Sequence, residues 1–265
     1  INSDFVDGLV VFMKREHLKE HGREMSENSL RIYFRQLRAI YNFAILKGYT
    51  ERKNPFAGRN LGSIRRQKAA LSAEELKLFL EYRPKNKQEE FGQDFFLLSL
   101  LCSGANIGDI LRLRNSNIDH DEVTFVRSKT KKTNIEIKFR LTDDAKALFN
   151  KYGAITGTDS DSLVLPYLAN VTSETNLENR IKKVIRNVNE GLKDICDELG
   201  MRKITTYTAR HSYATLLMNN GMSTEQIQKF LGHSSSTTTQ TYLDQLSTGI
   251  LDQNKSILEN LMRPK

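Results

Sequence analysis

Residues 209–242 read ARHSYATLLMNNGMSTEQIQKFLGHSSSTTTQTY, and this stretch decides how the rest of the chain is understood. Two helices are expected in it. One runs through Ala209 to Met218; the other spans Ser223 to Leu231 and is closed by Gly232, a residue free to adopt the left-handed conformation that ends helices. Arg210 falls at the start of the first helix, His233 just past the end of the second, and Tyr242 nine residues further on. Taken singly, each is ordinary: a helix-opening arginine is usually a surface charge, and a tyrosine in Thr-Gln-Thr-Tyr-Leu is usually a packed aromatic. The ordered set is what carries chemistry.

Attack on a phosphodiester needs a nucleophile, donors for the non-bridging oxygens and a proton for the leaving 5′ oxygen. A tyrosine hydroxyl can form a covalent phosphoryl intermediate that conserves the bond energy for religation. Its ordinary pKa of about 10 leaves it protonated at neutral pH, so cations must help to remove the proton. The guanidinium of Arg210 is a planar donor fork suited to phosphate oxygens. His233 would add a further hydrogen bond to the same phosphate.

Outward from this stretch the chain reads as mostly helical. Segments Asp4–His21 and Glu27–Lys47 end near Gly22 and Gly48. The second carries Ile32, Leu37, Ile40, Tyr41 and Ala44 on one side. Arg31, Arg35 and Arg38, at helical spacing, form a basic stripe that can lie along a phosphate backbone or simply face solvent. Residues 54–70 lose periodicity and hold Pro55, Gly58, Gly62, Arg65, Arg66 and Lys68, a linker composition that could also lie on DNA. Ser72 with Glu75 is a capping-box pattern. Phe95–Leu101 and Ile107–Leu113 read as two buried helices interrupted near Gly104. Val123–Arg127 and Asn134–Phe139 alternate like paired strands, with Lys129–Thr133 as their turn. Thr142 before Asp143 and Asp144 opens another helix. Leu177, Ile181, Val184, Val188, Leu192, Ile195 and Leu199 mark a long amphipathic helix stopped by Gly200.

At 265 residues, 38% hydrophobic and 27% charged, the chain suits two soluble domains. No apolar run is long enough for a membrane span, and no signal-peptide pattern opens the chain. A start at Ile1 suggests a fragment or processed form. Two cysteines, Cys102 and Cys196, sit in segments expected to be buried helix, which argues against a disulfide scaffold and for a reducing cytoplasm. No Cys/His spacing suggests a metal. The net charge is +8, of which residues 1–70 contribute +7 (14 Lys/Arg against 7 Asp/Glu). A basic first part joined to a nearly neutral remainder points to a polyanion-gripping module.

The order Arg210, Leu231-Gly232-His233, Tyr242 resembles the tyrosine recombinase (phage integrase) family, and the basic helical first part resembles that family's core-binding domain. The resemblance implies catalytic roles for Arg210, His233 and Tyr242. It assigns Lys129, in Ser128-Lys129-Thr130, to protonating the leaving oxygen, and it implies no metal or cofactor. Lys131 and Lys132 join Arg31, Arg35, Arg38, Arg65 and Arg66 as expected DNA contacts. The expected fold is mainly α with a small β-sheet, in two domains forming a C-shaped clamp. A helical core-binding domain (1–60) and a linker (61–70) would precede a catalytic domain with a tail helix (71–265).

Two positions depart from the family pattern. The family's first arginine falls in a Thr-Gly-x-Arg-x-x-Glu stretch; here Ser103–Asp109 matches it, with Asn106 in place of the arginine and Asp109 at the acidic position. Tyr207 stands where the family has its first histidine, and could bond the phosphate or orient Arg210. Losing one preorganised phosphate donor typically costs on the order of 10²–10³ in rate. Arg127, Arg112 and Arg114 are candidate replacements. Such substitutions resemble those of integrases from Bacteroides-type mobile elements. The partners implied are double-stranded DNA, a homotetramer on two sites joined through the tail (Ile250, Ile257, Leu258, Leu261, Met262), and a possible DNA-bending accessory protein. The setting implied is a nucleoid-associated one in the bacterial cytoplasm. A degenerate DNA-binding protein, a chromosome-dimer-resolving recombinase and a type IB topoisomerase-like enzyme are the alternatives.

Overall fold

The computed structural model describes residues 1–51, 53–60, 70–128, 134–153, 159–232 and 239–240. The chain divides into two compact units, Ile1–Arg66 and Gln67–Lys265.

The first unit is a helical hairpin. Helix α1 (Ser3–His21) is capped by Asn2, whose side chain accepts from Phe5 N, and ends at left-handed Gly22. Helix α2 (Glu27–Leu46) is capped by Ser26. Val6, Phe34, Tyr41 and Phe56 form the core, with Leu9, Val10, Met13 and Leu37 packed against it. Arg59 closes the unit by bonding both carboxylate oxygens of Asp7, at 2.8 and 2.9 Å. The buried stripe of α2 is therefore Leu30, Phe34, Leu37 and Tyr41, at steps of four, three and four. Ile32 and Ile40, expected inside, are 48% and 65% exposed. They lie on the neighbouring strip, which sequence spacing alone does not separate from the core strip.

The second unit is mainly α with a small sheet. Helices α3 (Ala73–Glu81), α4 (Lys87–Leu101) and the short α5 (Ile107–Ile110) precede strands β1 (Ile118–Asp119), β2 (Glu122–Val126) and β3 (Glu136–Arg140). Then come α6 (Asp143–Tyr152), α7 (Glu174–Leu199), α8 (Thr206–Asn219) and α9 (Thr224–Leu231). Ser72 and Glu75 make the expected reciprocal capping box on α3. The sheet is antiparallel in the order β1-β2-β3, with Val123 opposite Phe139 and Phe125 opposite Ile137 on its buried face.

Strand β1 escaped the sequence reading because it is two residues long. The helix expected over Ile107–Leu113 stops early for a tertiary reason. Leu113 accepts from Val164 N at 2.9 Å and Arg114 bridges Leu163, so the chain turns extended there. Among the described residues no helix is long and apolar enough to cross a membrane. Cys102 and Cys196 are both buried and free, and burial pushes both thiols up.

Helices α4 and α7 pack against each other in the core of this unit, with Gly92 and Gly191 facing each other where the backbones come close. A Cβ on Gly191 would lie 2.1 Å from the Gln88 carbonyl oxygen, and one on Gly92 would lie 2.8 Å from the Gly191 backbone. Overpacking of this kind typically costs about 1–3 kcal/mol. Gly191→Ala should therefore lower the urea midpoint by a stability loss near the top of that range, whereas Gly8→Ala, which meets nothing within 4 Å, should not.

Candidate active site

Helix α8 is set before its functional side chains are. Thr205 N donates to Thr208 Oγ1 at 3.0 Å, and Thr206 N donates to Asn189 Oδ1 of α7 at 2.9 Å, fixing the first turn against the core helix. One turn in, Arg210 is only 1% exposed. Its Nη1 donates to the Gly104 carbonyl at 3.1 Å and its Nη2 to the Leu231 carbonyl. Burial of a guanidinium is costly unless its donors are satisfied, so these carbonyls are structural requirements of the site.

Gly104 is needed on two counts. Its φ is +66°, and a Cβ would lie 3.2 Å from both Arg210 Cα and Tyr213 Cβ. The neighbouring Ser103 Oγ accepts from Tyr213 OH at 3.2 Å, and Ser99 Oγ donates to Ala105 O at 2.7 Å. The loop at 103–105 is thereby held between α8 and α4, and Asn106, next in the chain, is the N-cap of α5.

The other side of the site is the end of α9. Gly232 adopts the left-handed conformation expected of it, and a Cβ there would lie 2.6 Å from Ile137 Cδ1 and 3.2 Å from Arg127 Cδ. Arg127 is buried at 7% exposure. Asp109 of α5 holds this end of β2: its Oδ1 accepts from Ser128 N at 3.0 Å and Ser128 Oγ at 2.9 Å, while Oδ2 lies 3.7 Å from Arg127 Nε. The acidic position of the motif thus anchors the residue immediately before Lys129.

The structure separates the three candidate cations. Arg112 donates to the Gly108 carbonyl at 2.8 Å and is paired with Glu178 of α7. Arg114 bonds the Asp161 carbonyl. Arg127 alone among the three packs against the Gly232 corner beside Arg210's acceptor, and its Nε makes no hydrogen bond among the described residues. Tyr207 is 44% exposed and stacks edge-on against His211, with ring centroids 4.7 Å apart.

Lys129, Lys131, Lys132, His233, Tyr242, Arg65 and Arg66 lie outside the described residues, as does the chain from Thr241 onward. Arg31, Arg35 and Arg38 are half-buried along α2, flanking its core strip. Sequence reasoning missed a second cationic face. Arg180, Lys182, Lys183 and Arg186 are exposed on α7, with no acidic residue between Glu178 and Glu190. The signal was present as four cations in seven residues, but the apolar repeat of that helix drew the reading instead.

Residues 69–248 match the phage integrase family, and residues 1–61 match the phage integrase SAM-like domain. The chain belongs to the phage integrase family, the tyrosine-type site-specific DNA recombinases. It is 28% identical over 230 residues to tyrosine recombinase XerA of Thermococcus kodakarensis, covering 85% of this chain and 73% of that protein. It is 25% identical over 242 residues to tyrosine recombinase XerD of Halalkalibacterium halodurans, covering 89% of this chain and 76% of that one. Among solved structures it is similar to the Tn1549 transposon integrase in complex with a circular intermediate DNA. That likeness has a TM-score of 0.63 and 16% identity, over 91% of this chain and 80% of the other. A lambda integrase dimer bound to a COC′ core site gives 0.58 and 18%, over 94% and 81%. At these identities the two structures speak for the fold.

The Asp109 anchor is directly testable. Asp109→Ala leaves Arg127 buried without its carboxylate and frees the Ser128 amide. Removing one partner of a buried pair costs about 3–5 kcal/mol, less where the pair is as wide as this one. The expected result is a loss on the order of 2 kcal/mol in chemical denaturation, with hydrogen exchange accelerated first at Ser128.

Proposed function

We propose that this chain is the strand-exchange enzyme of a mobile element, an integrase or transposase that cuts and rejoins double-stranded DNA through Tyr242. The observation that carries this reading is the burial of Arg210 between the Gly104 and Leu231 carbonyls. One side chain thereby joins the helix of the Arg210 motif, the loop of the degenerate first-arginine motif and the corner that leads into His233.

In the proposed cycle Tyr242 Oη gives up its proton to solvent as it attacks a backbone phosphorus and forms a phosphotyrosine bond. The bond from phosphorus to the 5′ oxygen breaks, and Lys129 gives that oxygen its proton. A 5′ hydroxyl from a partner duplex then attacks the 3′-phosphotyrosine, passes its proton to Lys129 and releases Tyr242, whose oxygen regains a proton from solvent. Arg210 and His233 donate to the non-bridging oxygens throughout, and Tyr207 adds its hydroxyl at the rim. Arg127 supplies the charge that Asn106 does not, since Arg112 and Arg114 are committed to other partners. Asn106 contributes at most an amide donor.

Residues 1–60 grip the duplex through the Arg31, Arg35 and Arg38 stripe. The linker at 61–70 adds Arg65 and Arg66, the β2–β3 turn adds Lys131 and Lys132, and the α7 face adds the cations the sequence reading missed. The catalytic part spans 71–265. The enzyme works as a homotetramer on two sites, with the tail at 250–262 passed between protomers, where a DNA-bending protein can assist. Its place is the bacterial cytoplasm, at the nucleoid.

A nicked suicide duplex, whose site is first selected by binding from a random-sequence pool, tests the core of this reading. The protein should form a covalent adduct on a denaturing gel, and Tyr242→Phe should abolish it. Arg127→Ala should slow adduct formation on the order of 10²–10³-fold at saturating duplex, while Arg112→Ala should not. Tight binding with no adduct would instead identify a degenerate DNA-binding protein.

The α7 face makes a separate prediction. Replacing Arg180, Lys183 and Arg186 with Ala should weaken binding to all sequences alike. The log–log salt slope should fall by about 1 for each phosphate that is no longer neutralised.

A further inference from the structure

The point where the linker enters the second unit is stapled to the helix that carries Arg210. Leu71 N donates to Ser212 Oγ at 3.0 Å in a buried bond. One residue earlier, the Ala70 carbonyl accepts from Arg202 Nη2. Arg202 also grips Glu75 through Nε and Nη2, at 3.0 and 3.1 Å, and Glu75 closes the capping box of α3 by accepting from Ser72 N at 2.8 Å. Ala70 itself packs on the small cluster of Ala214, Ile227 and Leu231. The last of these lends its carbonyl to Arg210.

Ser212 is 1% exposed and stands two residues after Arg210 on the same helix. The α-helical ladder fixes such neighbours relative to each other. Leu71 therefore cannot move against Ser212 without either losing a buried hydrogen bond or carrying α8 with it. An unsatisfied buried donor is costly, so the second course is favoured. Arg202 holds the Ala70 carbonyl through a partly exposed guanidinium that also pairs with Glu75, and it can be altered without disturbing the core.

We propose that Ser212 and Arg202 are positioning residues that clasp the end of the linker to α8, so that a change of linker path is passed to the guanidinium of Arg210. The clasp ties competence for cleavage to the position of the backbone at Ala70 and Leu71. It deepens the recombinase reading and rests on that reading only for its last step, the effect on cleavage.

Two arms on the full chain test it. In the first, the Arg210 Nε–H resonance and the Leu71 amide are followed by NMR hydrogen exchange in the free protein. Ser212→Ala should shift the Arg210 signal and speed exchange at both positions about tenfold, the scale of one lost hydrogen bond, and Ser212→Thr should restore them. In the second, adduct formation is measured on the selected nicked duplex. Ser212→Ala and Arg202→Ala should each lower the rate at saturating duplex without changing affinity, and the double variant should fall short of the product of the two.

An unmoved Arg210 signal in folded Ser212→Ala overturns the clasp, as does a loss of melting temperature with no loss of rate. Should Ser212→Ala not fold, the same two readouts on Arg202→Ala decide. An Arg210 signal that responds to Ser212→Ala in a protein forming no adduct supports the clasp and rejects the recombinase reading.

Discussion

A guanidinium held away from water by two backbone carbonyls is the constraint on which the second unit is organised. Carbonyl dipoles orient the fork of Arg210 without neutralising its charge, and burial keeps that charge strong by lowering the local dielectric. Each acceptor comes from a different part of the chain, Gly104 from the loop after α4 and Leu231 from the end of α9. The charge can be buried only when both segments are in place. Loss of either segment would leave the buried arginine with unsatisfied donors.

The scaffold around that arginine is pinned at three points. The glycine contact between α4 and α7 fixes the core, Asn189 of α7 fixes the first turn of α8, and Asp109 of α5 fixes the end of β2. The carboxylate at 109 serves the backbone of Ser128 more closely than the guanidinium of Arg127, by 3.0 Å against 3.7 Å. It orders the base of the hairpin and leaves Arg127 charged and only loosely paired. In the proposed cycle Arg127 meets a phosphate, and a tight bidentate pair with Asp109 would first have to be broken.

Much of this was legible in the sequence, for identifiable reasons. Helix limits followed from caps: Ser72, Thr142, Gly200 and Gly232 all act where their chemistry placed them. The paired strands followed from alternation. What failed was set by tertiary contacts. The helix after Gly104 stops at Ile110 because Leu113 and Arg114 pair with residues 163–164, about fifty positions downstream. On α2, Ile32 and Ile40 are as apolar as the true core residues, and only packing shows which strip faces inward. Within the site, Arg210 could be read from its motif. Its carbonyl acceptors could not, because backbone oxygens carry no sequence signal. The choice among Arg112, Arg114 and Arg127 likewise needed partners that sequence does not display.

The proposed cycle joins one tyrosine to DNA beside the buried arginine. Its most direct test is to trap the reaction on a nicked duplex, digest the DNA with nuclease and the protein with protease, and sequence the modified peptide by mass spectrometry. A nucleotide remnant is expected on Tyr242 and on no other residue. A remnant on Tyr207 or Tyr213, or on a serine, would contradict it.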